Sequence, residues 1–141
     1  MKSSTLKKLL LVGLLAACCT GFSLSPEELF SKGVRCCEEK NYAEAAKYFR
    51  QAAEQGYASA QLLLGVCYAE GEGVPKDLEQ AVHWYRQAAE QGYAKAQNNL
   101  GVCYEHGKGV PKDMEKAVHW FRKSAAQGDV YAKAALRRLG Q

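Results

Sequence analysis

The sequence predicts an all-α fold: an α/α superhelical solenoid of stacked helix pairs, closed by a C-terminal capping helix. Three observations predict it. Residues 56–91 and 92–127 lie over each other without a gap at a period of 36, with 24 positions identical and 12 different, which marks an internal repeat. Within each unit the apolar residues recur at helical spacing: Ala96, Leu100, Cys103 and Tyr104 stand at i, i+4, i+7 and i+8, and Ala117, Trp120 and Phe121 at i, i+3 and i+4. Helix-capping residues and loop prolines fall between these stripes rather than inside them.

The elements follow in order. Lys2, Lys7 and Lys8 precede an apolar run over 9–17, the layout of an export signal and too short for a permanent membrane span. Leu15-Ala16-Ala17-Cys18 resembles the lipobox of bacterial lipoproteins, which implies cleavage before Cys18 and lipidation of that cysteine. Small residues at Cys19 and Gly21 suit ordinary cleavage up to about residue 21 as the alternative. The chain is therefore expected to be exported, either as a periplasmic or outer-membrane lipoprotein or as a secreted protein. Residues 18–25 read as a short tether. In 26–55, Ser25-Pro-Glu-Glu28 is a capping-box start, Asn41 caps a second helix, and Ala45, Tyr48, Phe49 and Ala52 hold the places of Ala81, Trp84, Tyr85 and Ala88.

In the two full units, Asp77 and Asp113 sit at N-cap positions, Gly71 and Gly107 end the first helix, and Gly92 and Gly128 end the second. Residues 128–141 form the last unit, in which Asp129 opens a helix through Arg138 and Arg137 and Arg138 suit a solvated end.

Charge narrows the partners. The formal +4 falls to about +1 once the basic start is removed, since residues from 18 onward hold 16 Lys and Arg against 15 Asp and Glu. Nucleic-acid modules carry a clustered basic surface that neutralises phosphates, so no nucleic-acid partner is expected. The six cysteines do not read as a disulfide framework. Cys67 and Cys103 stand one repeat apart, where neighbouring helix axes are about 8–10 Å apart, whereas a disulfide needs Cα atoms within about 4.4–6.8 Å. Both are expected free and buried. Cys36 and Cys37 are adjacent, and no C-x-x-C pair suggests zinc.

The motif Ala60-Gln-x-x-Leu64-Gly65-x-x-Tyr68, with Gly71-x-Gly73-Val74-Pro75-x-Asp77 and Ala81-x-x-Trp84-Tyr85-x-x-Ala88-Ala89, closely resembles the Sel1-like repeat, a relative of the tetratricopeptide repeat. The match covers residues 56–136, while 26–55, with its shorter loop, looks more like an ordinary tetratricopeptide unit. The resemblance implies an adaptor that binds a protein or peptide, with its first helices lining a concave groove.

Comparing the two full repeats separates scaffold from surface. Five of the differences lie on the first helix: Ser59/Lys95, Leu62/Asn98, Leu63/Asn99, Ala69/Glu105 and Glu70/His106. At about 100° per residue these positions share an arc of about 120°, opposite Ala96, Leu100, Cys103 and Tyr104. By the resemblance that face is the concave one. Its expected partner-binding residues are Phe30, Val34, Leu62 and Val66 as an apolar strip, followed by Lys95, Asn98, Asn99, Val102, Glu105 and His106 as a polar one. The polar strip suits hydrogen bonds to a ligand backbone. The alternative is that Leu62 and Leu63 pack on the preceding unit and the polar residues are only solvated. Trp84 and Trp120 are expected in the core, and His83 and His119 at a solvated edge.

No catalytic constellation is expected, and no cofactor or metal. The sequence holds no G-x-S-x-G and no H-E-x-x-H, and Gly71-Glu-Gly73-Val-Pro-Lys76-Asp77 lacks the order of a phosphate loop. A cysteine-rich branch of the resembled family is associated with penicillin binding or hydrolysis, which makes a β-lactamase-like enzyme the enzymatic alternative. Against it, no Ser after residue 17 is followed three positions later by Lys, S-D-N and K-T-G are missing, and each full repeat has one cysteine rather than a pair. The functional expectation is an envelope adaptor or a secreted effector, with membrane contact only through a lipid on Cys18.

Overall fold

A computed structural model describes residues 23–141; residues 1–17, read above as an export signal, and Cys18 and Cys19 lie outside the described residues. Seven helices follow one another: α1 Pro26–Glu38, α2 Tyr42–Glu54, α3 Ala58–Glu70, α4 Leu78–Glu90, α5 Ala94–His106, α6 Met114–Ala126 and α7 Val130–Arg138. The described residues contain no strands, and the main packing contacts run between helices adjacent in sequence, the one-dimensional order of a solenoid.

The caps form where the side chains can supply them. Ser25 and Glu28 satisfy each other's backbone N–H at the start of α1, and Asn41, Asp77, Asp113 and Asp129 accept from the third backbone N–H of their helices. Gly71 and Gly107 end α3 and α5 in the left-handed region, at φ 74° and 65°. The shorter loop of the first unit instead turns at Lys40, whose φ is 59°.

Within each pair a glycine of the first helix meets an aromatic ring of the second. A Cβ on Gly33, Gly65 or Gly101 would lie 2.5, 2.6 or 2.7 Å from the ring of Phe49, Tyr85 or Phe121. The rings therefore rest on bare backbone, and Phe49 and Phe121 are the largest fully enclosed side chains. The position one repeat after Gly101 is Arg137. A side chain there sets α7 apart from its predecessors, each of which receives an aromatic ring on bare backbone.

Between pairs the joints repeat. Arg50 donates to the Tyr68 hydroxyl at 2.7 Å and Arg86 to that of Tyr104 at 3.0 Å. The buried amides of Gln61 and Gln97 donate to the carbonyls of Ala53 and Ala89, both at 3.1 Å. Their own oxygens accept from Gln91 and Gln127 at 2.7 and 2.9 Å, so both buried amides are tied to the pair before and to the loop after. Gly73 and Gly109 let each long loop lie on the backbone at the start of α2 and α4, against Tyr42 and Leu78.

Cys67 and Cys103 are buried and free, and Cys36 and Cys37 are half-buried and free. The tryptophans depart from expectation. Trp84 and Trp120 are half-buried at the edge of the core rather than enclosed in it. The exposed rings of His83 and His119 lie edge-on against them at 5.0 and 5.3 Å.

Candidate functional site

The first helices stand side by side, and the stripe that differs between repeats meets two adjoining cavities. The first, of 490 Å³, lies between α3, the start of α4, and α5. Val66, Ala69 and Val102 give it apolar walls, Tyr85 and Asn99 bring polar groups, and Glu70, Lys76 and Lys108 stand at its rim. The second, of 420 Å³, lies between α5 and α7 and is lined by Asn98, Val102, Glu105, His106, Tyr131 and Arg138, among others. Val102 belongs to both. The two cavities therefore adjoin at Val102 on α5 and together make up the groove.

The helices position these residues by simple periodicity. Asn98, Val102, Glu105 and His106 fall on one side of α5 at i, i+4, i+7 and i+8. The opposite side is held in place by Ala96, Leu100, Cys103 and Tyr104, all buried.

Two expected contact residues are not open to a partner. Leu62 is 8% exposed and belongs to the core. Apart from Ser59 and Gln61, helix α3 is apolar from Ala58 to Ala69, and its neighbours bury Leu62 while leaving Leu63, Val66 and Ala69 partly exposed. Glu105 is 6% exposed, because α7 folds over it. Arg138 grips its carboxylate with contacts of 2.6 and 2.9 Å, and His106 stands at 3.7 Å. The hydrogen bond from Arg138 holds the Glu105 carboxyl below the usual carboxylate range despite the opposing effect of burial.

Phe30 and Val34 are half-buried and packed against the core. The Phe30 ring lies 5.8 Å from Phe49 and 5.3 Å from Tyr57, so the N-terminal apolar strip is largely filled by the protein's own packing. Lys95 is exposed at the first turn of α5 and lines neither cavity. Val66 and Asn99 line the first cavity, Asn98 and His106 the second, and Val102 both.

Sequence reasoning missed Tyr85, Lys76 and Lys108. Tyr85 reads as a core ring, and it is: burial and the neighbouring Cys103 and Glu70 push its hydroxyl well above the ordinary range, against a hydrogen bond from Asn99. Lys108 is legible in the sequence as the counterpart of Glu72 one repeat earlier, but it sits in a loop, outside the helical stripe on which the repeats differ. The thiols behind the groove are poor nucleophiles, since burial pushes both Cys67 and Cys103 up to about 11. Among the described residues no three His, Cys, Asp or Glu side chains gather as a metal-binding group, and no helix is long and apolar enough to cross a membrane.

The geometry of glycine-seated helix pairs and long Gly-Val-Pro loops matches a known family. The Sel1 repeat model matches residues 22–57, 58–93 and 94–129. The chain belongs to the Sel1 repeat family, and the first helix pair, read above as tetratricopeptide-like, lies within the first of these matches. The fold is shared with a protective antigen of uropathogenic Escherichia coli displaying an SLR fold, with a TM-score of 0.77 and 41% identity over 79% of this chain and 25% of that one. A Sel1 repeat protein from Oxalobacter formigenes gives a TM-score of 0.74 and 41% identity over 78% of this chain and 45% of that one. Beta-lactamase HcpA of Helicobacter pylori is 34% identical over 67 residues, 46% of this chain and 27% of its own length. The chain thus spans under a third of the length of Helicobacter pylori beta-lactamase HcpA and putative beta-lactamase HcpC.

Proposed function

We propose that the chain is a non-catalytic scaffold that binds a segment of another protein along the α3–α5–α7 groove. The observation that carries this reading is the coincidence of two independent features. The first-helix face that carries five of the twelve differences between the two full repeats is also the face lined by two cavities that share Val102. A structural repeat keeps the residues it needs for stacking and changes those it presents to a ligand. The apolar floor and amide-bearing rim suit an extended or helical peptide, whose backbone Asn98 and Asn99 can both donate to and accept from.

A photo-crosslinking side chain at Asn98 should give discrete protein adducts, while the same group at Gln51, exposed on α2, should not. Equal or absent labelling at the two positions defeats the reading.

The export layout of residues 1–17 favours an envelope adaptor held by lipid on Cys18; a secreted effector meeting a host protein is the second reading, favoured by the alternative cleavage site. Palmitate labelling lost in Cys18→Ser supports the first, and recovery of unlabelled chain in the medium supports the second. The β-lactamase names among the relatives make hydrolysis of a chromogenic cephalosporin by the purified chain the check on the non-catalytic reading.

A further inference from the structure

The charge of the solenoid is not evenly spread. Residues 23–91 hold seven Lys and Arg against eleven Asp and Glu, whereas residues 92–141 hold nine against four. The two halves of a nearly neutral molecule therefore carry about −4 and +5. Part of the change falls at positions that differ between the repeats: Glu70 becomes His106 and Glu72 becomes Lys108, both of which line the cavities in the later repeat, and Ser59 becomes Lys95 outside them. The one change in the opposite sense, Ala69 to Glu105, is cancelled by the 2.6 Å contact with Arg138. Lys76 and Lys108 at the first cavity, and Lys95 and Lys112 beside it along the chain, form no ion pair among the described residues. Of the acids lining the two cavities only Glu70 is left without a cationic partner.

We infer that the occupant of the groove is an acidic protein segment, with Asp or Glu side chains set against Lys108 and Lys76 and an adjoining apolar side chain lodged between Val66, Ala69 and Val102. This rests on the groove being the binding surface, and adds the sign of the partner. Cations held at the rim of an apolar cleft attract a carboxylate at long range and fix the register of the segment once it docks. The apolar walls then favour a protein segment over a nucleic acid, whose binding comes chiefly from many phosphate contacts.

The test uses the chain over residues 18–141 and three fluorescein-labelled peptides of alternating Glu and Leu, of Gln and Leu, and of Lys and Leu. By fluorescence anisotropy at low salt the acidic peptide should bind about tenfold more tightly than the Gln peptide, the scale of one favourable charge contact, and the Lys peptide should bind least. Added salt should erase the difference. Lys108→Glu should remove most of the preference, and it copies the residue the preceding repeat carries at that position, Glu72, so folding is not at issue. Lys123→Glu changes net charge equally on α6, away from both cavities, and should change affinity less than about twofold, within the range of an exposed site.

Equal binding of the acidic and Gln peptides overturns the inference. So does an equal effect of the two lysine variants, absence of saturable binding by the acidic peptide, or tighter binding of a single-stranded RNA of the same charge. A partner segment crosslinked from Asn98 that proves neutral or basic overturns it too, while leaving the scaffold reading intact. Failure to crosslink any protein from Asn98 counts against the scaffold itself.

Discussion

Gly101 shows how a single missing atom sets the spacing of a helix pair. In an isolated helix, alanine would be favoured there by about 1 kcal/mol. In this fold the added Cβ would meet the Phe121 ring at 2.7 Å, and that ring is 0% exposed and cannot swing away. Overpacking of this kind costs about 1–3 kcal/mol, so Gly101→Ala should lower the urea midpoint without changing the slope. Phe121→Ala, which empties the same contact, should cost about 3–5 kcal/mol. The repeat alignment marks the glycine as invariant between the two full units, but its reason lies on another helix and is not written locally. Cysteine chemistry belongs to the same scale. With thiols raised to about 11 by burial, Cys67 and Cys103 should resist iodoacetamide at pH 8 until denaturant is added, as peptide mass spectrometry will show. Because the folded values exceed the ordinary thiol value of 9.0, the stability these thiols contribute is complete below pH about 9 and lost as pH rises toward 11.

At the scale of an element, α7 is the informative one. It keeps Ala132 in the core as Ala60 and Ala96 are kept, yet carries Arg137 where each earlier first helix has glycine. Its nine residues are too few to hold a helix alone, so its order depends on docking, and the clasp of Arg138 on Glu105 is part of that docking. Glu105 has a folded pKa below its ordinary value of 4.5. Its contribution is therefore present above pH about 4.5 and is lost as pH falls through the lower folded value. Hydrogen exchange in α7 should accelerate in that acid window before exchange in α2 or α4 does, and Glu105→Gln should abolish the difference between pH 6 and the acid window. The register of α7 and its basic end were legible from Asp129, Ala132 and Arg138. The clasp was not, because residues 105 and 138 are far apart in sequence and meet only when two first helices stand side by side. That is why Glu105 reads as a groove residue in the sequence and as a buried ion pair in the fold.

For the whole molecule, the solenoid was legible because its information is repeated. Period, caps and apolar stripes each occur twice, and agreement between levels makes a fold readable. The groove was legible only in part. Differences between repeats mark the face, but which residues on it stay open depends on how far neighbouring helices close over them, as Leu62 shows. The same repetition predicts how the molecule comes apart. With main contacts confined to adjacent helices, each joint couples only the pairs beside it. Gln97, with the Arg86–Tyr104 bond, joins the second and third pairs: it donates to the Ala89 carbonyl and accepts from Gln127. Gln97→Ala removes both of these bonds; because the Ala89 carbonyl keeps the Gly92 N–H and the Gln127 amide keeps the Gly92 carbonyl, the loss is about 0.5–1.5 kcal/mol per bond, with nothing removed from the apolar cores inside either pair. Hydrogen exchange of this variant should show α5–α7 opening at lower free energy than α1–α4, where the parent chain shows the two segments opening together. Gln61→Ala should instead separate α1–α2 from the rest. A uniform loss of protection in both variants would mean that the stack behaves as one cooperative body rather than as a chain of joints.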